Sequence, residues 1–264
     1  MTPTVRRRIT GGLVAVIVVI SCIFLGRWQW HRHEARSAEV DQITSNYGKP
    51  PAAFSDLVPQ PDAQLPSDVE WRSVELTGRF EAPILKIRNR PVDGKHGFHI
   101  AQPFVFDDHT VLVNRGFVAT EDPATIDFPA QSGGEVTLIG RLRPVEPPDS
   151  RSAPAGQGFT FNPAQLLPND PGLVTGTYLV ASEESPPADD QISPLPDPDT
   201  DLGSHFSYAL QWWFFAGGAF VAFFLLIRRE NQHEDARSAP TRKKRASSAE
   251  AEEDALIAAW EQQQ

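Results

Sequence analysis

Two long stretches of this chain, Ile9 to Leu25 and Phe206 to Ile227, contain no charged side chain, and no other feature limits the possible fold as strongly. At about 1.5 Å of rise per residue, helices of roughly 17 and 22 residues measure about 26 and 33 Å, against a bilayer hydrocarbon core of about 30 Å. The second block spans unaided. The first needs its flank, and Gly26-Arg27-Trp28-Gln29-Trp30 supplies indole rings suited to the headgroup level and an arginine able to snorkel. Trp212 and Trp213 repeat the aromatic signal in the second block.

Orientation follows from lysine and arginine. Around the first block the signal is nearly balanced, with Arg6, Arg7 and Arg8 before it and Arg27, Arg32 and Arg36 after it. The second block decides: Asp197, Asp199 and Asp201 precede it, and Arg228, Arg229, Arg242, Lys243, Lys244 and Arg245 follow. Its C-terminal end is therefore expected in the cytoplasm, and with two crossings the N-terminus joins it. The resulting order is a cytoplasmic N-terminus (1–8), transmembrane helix 1 (9–30), an extracytoplasmic domain (31–204), transmembrane helix 2 (205–227) and a charged cytoplasmic tail (228–264).

The first block also has the basic and apolar regions of a secretory signal, but no small-x-small cleavage site follows. Val19-Ile20-Ser21-Cys22 resembles a lipobox, yet the chain stays apolar beyond it, so the block is expected to be retained. An amphipathic, Ser- and Arg-rich transit peptide is missing, which favours a bacterial plasma membrane over an organelle. The single cysteine falls inside this helix, so the outer domain has no disulfide and must be held by its core. A net charge of −10, largely in the outer loop and extreme tail, argues against nucleic acid as a partner.

Within the outer domain the stretch to about Asp68 is proline-rich and weakly periodic; it predicts a short helix continuing from the membrane, then irregular chain. From Trp71 the period becomes two. Val74, Leu76 and Phe80 share one face against Ser73, Glu75, Thr77 and Arg79, the pattern of a strand covered on one side. Ile84–Arg90, Gly97–Phe106, Thr110–Val118, the Val136–Leu142 alternation and Tyr178–Ala181 are further strand candidates, with turns at Asp93-Gly94 and Asp107-Asp108. Hairpin spacing without a βαβ rhythm predicts a β-rich antiparallel barrel- or sandwich-like domain. Residues 182–204, rich in proline and acids, read as a solvated tether.

Enzyme motifs are scarce: G-x-S-x-G, H-E-x-x-H and C-x-x-C are all missing. His96 and His99 are three apart, which on a strand sends them to opposite faces and favours ordinary surface or core roles. Copper delivery needs sulfur ligands, and Cys22 and Met1 are the whole supply. Asp197, Asp199 and Asp201 are separated by prolines and lack a ligand-bearing loop. Arg88, Arg90, Arg115, Arg141 and Arg143 could clamp carboxylates or phosphates, but solvated strand faces explain each alone at least as well. The chain is expected not to be an enzyme.

The segment His205 to Ala216 is the most informative. An imidazole at the outer mouth of a membrane helix is a functional candidate by default. Trp212 lies nearly two turns on, on the same face and about 10 Å deeper, with Tyr208 between them. Such a stripe could stack on and ligate a flat apolar ring such as a haem, with His205 on the iron. An interfacial anchor within an aromatic belt is an equal reading of the same residues. The two-crossing topology also brings His31 and His33 to that interface, where His31 could supply a second axial ligand, although headgroup contact is the commoner use of such positions.

Here the sequence resembles the Surfeit locus protein one (Shy) family of cytochrome oxidase assembly factors. The matching pieces are Leu25-Gly26-Arg27-Trp28-Gln29-Trp30-His31-Arg32, Val74-Glu75-Leu76-Thr77-Gly78-Arg79-Phe80, Gly97-Phe98-His99, Val111-Leu112-Val113-Asn114-Arg115-Gly116-Phe117-Val118, Gly140-Arg141-Leu142 and His205 to Trp212. Each piece is weak alone, but their order is specific. The resemblance implies a non-catalytic protein that helps mature the haem-copper subunit of an aa3-type cytochrome c oxidase by presenting or inserting haem a. Carried over by position, His205 becomes the haem ligand and Tyr208 and Trp212 line the ring. The implied partners are oxidase subunits, especially the haem-copper subunit, together with membrane lipid and a haem a synthase. Asn114, Arg115 and Gly116 match a family hallmark that a strand-end turn explains as well as propionate binding does. The alternative function is a non-haem membrane scaffold whose outer domain binds respiratory-complex proteins. The tail, with Leu256, Ile257 and Trp260 among acids, reads as a short amphipathic helix.

Overall fold

The computed structural model describes residues 3–126, 134–238 and 248–261. The basic run Arg242, Lys243, Lys244 and Arg245 lies outside the described residues. The chain divides into two compact units, one holding most of the two long apolar helices and the other formed by residues 33–203.

The helical unit is built on α1 (Pro3–Tyr47) and α4 (His205–Ser238). Both are long and apolar enough to cross a membrane, and only 11% and 6% of their most apolar windows are buried. That exposure excludes their being core helices of a soluble domain. Their shielded positions recur at steps of four and three, the spacing of a helix–helix seam. On α1 these are Arg8, Gly12, Ala15, Val19, Cys22, Gly26 and Gln29; on α4 they are His205, Ala209, Trp212, Ala216, Ala219, Phe223, Ile227 and Glu230. The two helices run antiparallel: Gly12 faces Phe223, Gly26 faces Trp213, and Arg8 donates to Glu230 at 3.2 Å. A third helix, α5 (Ser248–Glu261), leaves Leu256, Ile257 and Trp260 exposed.

The second unit is an eight-stranded sheet of β1 (Ala52–Ala53), β2 (Ser73–Phe80), β3 (Leu85–Ile87), β4 (Phe98–Phe106), β5 (His109–Val118), β6 (Val136–Pro144), β7 (Gln157–Gly158) and β8 (Thr177–Ser185). Its order is β1-β2-β6-β8-β5-β4-β3-β7, and a further β2–β4 pairing closes five of the strands into a ring. At the closure Arg79 pairs with Val105 and Phe80 with Phe104. Gly78 makes that approach possible, because a Cβ there would collide with the Val105 carbonyl. The expected antiparallel sheet is thus a barrel with mixed pairing: β2–β6, β6–β8 and β4–β5 are antiparallel, whereas β5–β8, β1–β2 and β3–β7 are parallel. The parallel β5–β8 pair arises because the long excursion between β6 and β8 lets the chain return in either direction, which a short hairpin loop does not.

Turn chemistry sets the hairpins. Asp93 and Gly94 take left-handed φ values of 49° and 73° between the bridged Val92 and Lys95, the geometry a twisted two-residue turn requires. Asp107, φ 47°, starts the two-residue turn between β4 and β5. Inside the ring the alternation in β2 and β6 buries Val74, Leu76, Phe80, Val136, Leu138 and Leu142 against Phe104, Val111, Val113 and Leu179. Phe80 meets Phe104 edge-on at 4.9 Å.

Two expectations change. The expected continuation of the membrane helix is there, since α1 persists to Tyr47, but the chain after it is not wholly irregular: β1 pairs with β2, and α2 (Phe54–Leu57) sets Phe54 against Phe106 at 5.1 Å. The 144–176 excursion likewise carries β7 and α3 (Pro163–Leu166), whose N-terminus is capped by Asn162. The second concerns residues 182–204, which are largely exposed, as a solvated tether would be, but are anchored at several points as a strap. Ile192 is buried with Phe98 and Ile100, Ser193 and Phe117 exchange backbone hydrogen bonds at 2.8 and 2.9 Å, and Arg36 donates to the carbonyls of Asp199 and Asp201 at 2.8 and 2.9 Å. Tyr47 donates to Asp197 at 2.5 Å; burial, then that carboxylate, pushes its phenol above the ordinary value. Prolines suppress regular structure here but not side-chain anchoring.

Candidate functional site

The helical unit gathers the polar and aromatic residues at one end of its seam. His205 opens α4 and is half-buried. Its Nδ1 lies 3.0 Å from Oε1 of Gln29 on α1. An amide oxygen can only accept, so Nδ1 is the donor in this contact and Nε2 takes no part in it. One turn deeper the helices come close: a Cβ on Gly26 would collide with the Trp213 indole. That indole packs at 5.7 Å from the ring of Trp30, which also lies 6.1 Å from Phe206.

The other expected residues take different positions. Trp212 is half-buried on the seam two turns from His205 and meets Phe215 edge-on at 5.9 Å. Tyr208 is 48% exposed, on the flank of α4 rather than in the seam. His31 is exposed on α1. Trp28, also exposed, receives the Arg32 guanidinium over its ring at 5.3 Å. The residues that sequence reasoning left without a role are Gln29, Gly26 and Trp213. The signal that could have found the first two is the step of four and three from Cys22 through Gly26 to Gln29, which puts an uncharged amide in the seam.

In the β unit the arginines have structural work. Arg115 is 4% exposed and donates to Glu184 at 2.5 and 3.0 Å and to Gln102 at 2.9 Å, with its guanidinium 4.0 Å above Phe80. Arg141 lies 3.4 Å above Tyr47 and donates to the Tyr47 carbonyl and the Ser73 hydroxyl, both at 2.9 Å. Arg143 stacks 3.7 Å above Trp71 and pairs with Glu70 at 2.8 Å. Arg90 pairs with Glu146, and Arg88 donates to Gln157 at 2.6 Å.

Asn114 has an orienting role. It accepts from the Gly116 amide at 3.3 Å, which turns its Nδ2 toward Nδ1 of His99 at 3.1 Å. His99 is largely buried between Phe117 and Phe161, and its pKa falls to about 4. Burial is the main cause, the Arg90 charge adds to it, and Glu146 opposes both. His96, three residues earlier, is exposed. The Asn114-Arg115-Gly116 hallmark is therefore accounted for inside the barrel: Arg115 is consumed by Glu184 and is closed to an external carboxylate.

The model of the SURF1 family matches residues 16–217, from within α1 through the ring to the middle of α4. No curated protein matches the chain. The match takes in part of each apolar helix and all eight strands, so the chain belongs to the SURF1 family, an assembly-factor family associated with cytochrome oxidase.

Proposed function

We propose that this chain is a membrane-embedded assembly factor for an aa3-type cytochrome c oxidase, and that it holds haem a for transfer to the haem-copper subunit. Family membership supports the assembly role. The haem role rests on the Gln29–His205 hydrogen bond. A metal-bound histidine characteristically donates its other ring N–H to a fixed acceptor, which sets the tautomer and raises ligand basicity, and Gln29 is that acceptor. The donor set suits an iron porphyrin: an imidazole nitrogen on the helix face that also carries Ala209 and Trp212. His205 would hold the iron through Nε2, Tyr208 and Trp212 would offer ring faces, and His31 would be the candidate for a second nitrogen ligand. Haem a is cargo here, bringing the iron centre that the oxidase needs.

Residues 9–30 and 205–227 are read as bilayer spans in a bacterial plasma membrane, with the termini cytoplasmic and residues 31–204 outside. Arg228 and Arg229 after the second span, against Asp197, Asp199 and Asp201 before it, support that orientation. The partners on this reading are the oxidase subunits and a haem a synthase.

The protein is purified from cells that make haem a, and spectra of the wild type and His205→Ala are compared. Loss of a haem a spectrum in the variant is expected; indistinguishable spectra remove His205 from the role. A deletion strain should lose haem a from the oxidase while apoprotein subunits persist, and a fully metallated oxidase there overturns the assembly role. Stable co-purification with respiratory subunits and no chromophore would favour the scaffold instead.

A further inference from the structure

At the opposite end of the seam from His205, α1 and α4 are linked by Arg7, Arg8 and Glu230. A groove of about 520 Å³ opens between the two helices. Its floor is made of small residues, Gly11 and Ala15 on α1 and Ala219 and Ala222 on α4, and a Cβ on Gly11 would meet nothing within 4 Å. Arg7 and Arg8 stand at its mouth, both paired with Glu230. The Arg7 side chain is nevertheless 74% exposed; Arg6 precedes it in sequence, and Arg228 and Arg229 precede Glu230. Two arginines thus share one glutamate where the groove begins.

The length of the groove identifies what fills it. It runs from Arg7 to Val18 on α1 and from Glu230 back to Ala219 on α4, about 16 Å on each helix. That is half of a hydrocarbon core of about 30 Å, the depth of one leaflet. The groove ends partway along both apolar blocks, at Val18 and Ala219. An acyl chain needs one leaflet and a headgroup at its top. We infer that this groove seats one acyl chain of an anionic phospholipid from the cytoplasmic leaflet, its phosphate held by Arg7 and its neighbours. The inference rests on the bilayer reading above. A small-residue floor lets the chain lie close to both helices, and arginine forks match phosphate oxygens.

The test uses the full chain in mild detergent, titrated with phosphatidylglycerol or phosphatidylcholine of matched acyl chains and read by native mass spectrometry. One phosphatidylglycerol per protein should be retained with about tenfold preference. Arg7→Gln with Arg8→Gln should abolish the preference, and Ala222→Phe, which fills the groove and keeps every charge, should abolish retention. Ala219→Leu is the second filling variant, and circular dichroism checks that each variant keeps its helices. Equal retention of the two lipids overturns the inference. So does phosphatidylglycerol that survives both filling variants, since it then adsorbs to the arginines alone, and so does a protein partner that occupies the groove stoichiometrically. Carbonate extraction of native membranes keeps the outcomes distinct: a chain released by carbonate defeats the bilayer reading, whereas a retained chain without lipid preference defeats only the groove.

Discussion

Glu184 on β8 grips both Nε and an η nitrogen of Arg115 on β5, with the two side chains 4% and 1% exposed. An ion pair so fully withdrawn from water is costly to form and costlier to break, because removing one member leaves the other charged and unpaired. Arg115→Met is expected to destabilise the β unit by about 3–5 kcal/mol, and Arg115→Met with Glu184→Leu to recover most of that loss. Denaturant titration of the three proteins measures both.

The contact between Gly26 and Trp213 sets how closely the helices approach. Gly26→Leu forces them apart and is expected to cost about 1–3 kcal/mol. Cysteine cross-linking across the seam, at Gly12 and Phe223 for example, reports the separation.

Gln29 fixes the orientation of the His205 imidazole. Gln29→Leu should weaken haem binding by about tenfold or more without removing the ligand, whereas Gln29→Glu keeps an acceptor and should preserve it. Optical titration distinguishes the two. Equal affinity in all three proteins would show that the hydrogen bond does not support ligation.

The His99 pKa of about 4 lies below the ordinary value of 6.5, so the unfolded chain binds the proton more tightly than the folded one. The stability this neutral histidine gives is complete above about pH 6.5 and is lost as pH falls toward 4, by up to about 3 kcal/mol. His99→Gln should flatten the pH dependence of unfolding across that interval.

Arg36 fastens the strap through the Asp199 and Asp201 carbonyls and the Asp199 carboxylate. Arg36→Ala should raise amide hydrogen exchange across residues 197–203 and leave the ring strands protected.

Much of this was legible from periodicity. The alternation of Val74, Leu76 and Phe80 gives β2, and Asp107-Asp108 gives the β4–β5 turn, because both are local rules acting on neighbouring residues. Ring closure was not legible, since it depends on Gly78 meeting Val105 across the fold, and a glycine in a strand has several explanations. The parallel β5–β8 pair was hidden for a related reason: no local signal says which way a long excursion returns. At the candidate site the single-helix stripe of His205 and Trp212 could be drawn from sequence. The Gln29 contact could not, because it needs the register between two helices whose relevant residues are 176 positions apart.

The five-stranded ring has a consequence for recognition. Strand addition, in which a visiting peptide borrows unpaired backbone groups at a sheet edge, finds little purchase here, because β2 and β4 satisfy each other where an edge would lie. The flanking strands β1 and β7 are two residues long. Whatever docks on this unit must therefore read side chains, and binding of that kind can be retuned by single substitutions while the barrel stays intact.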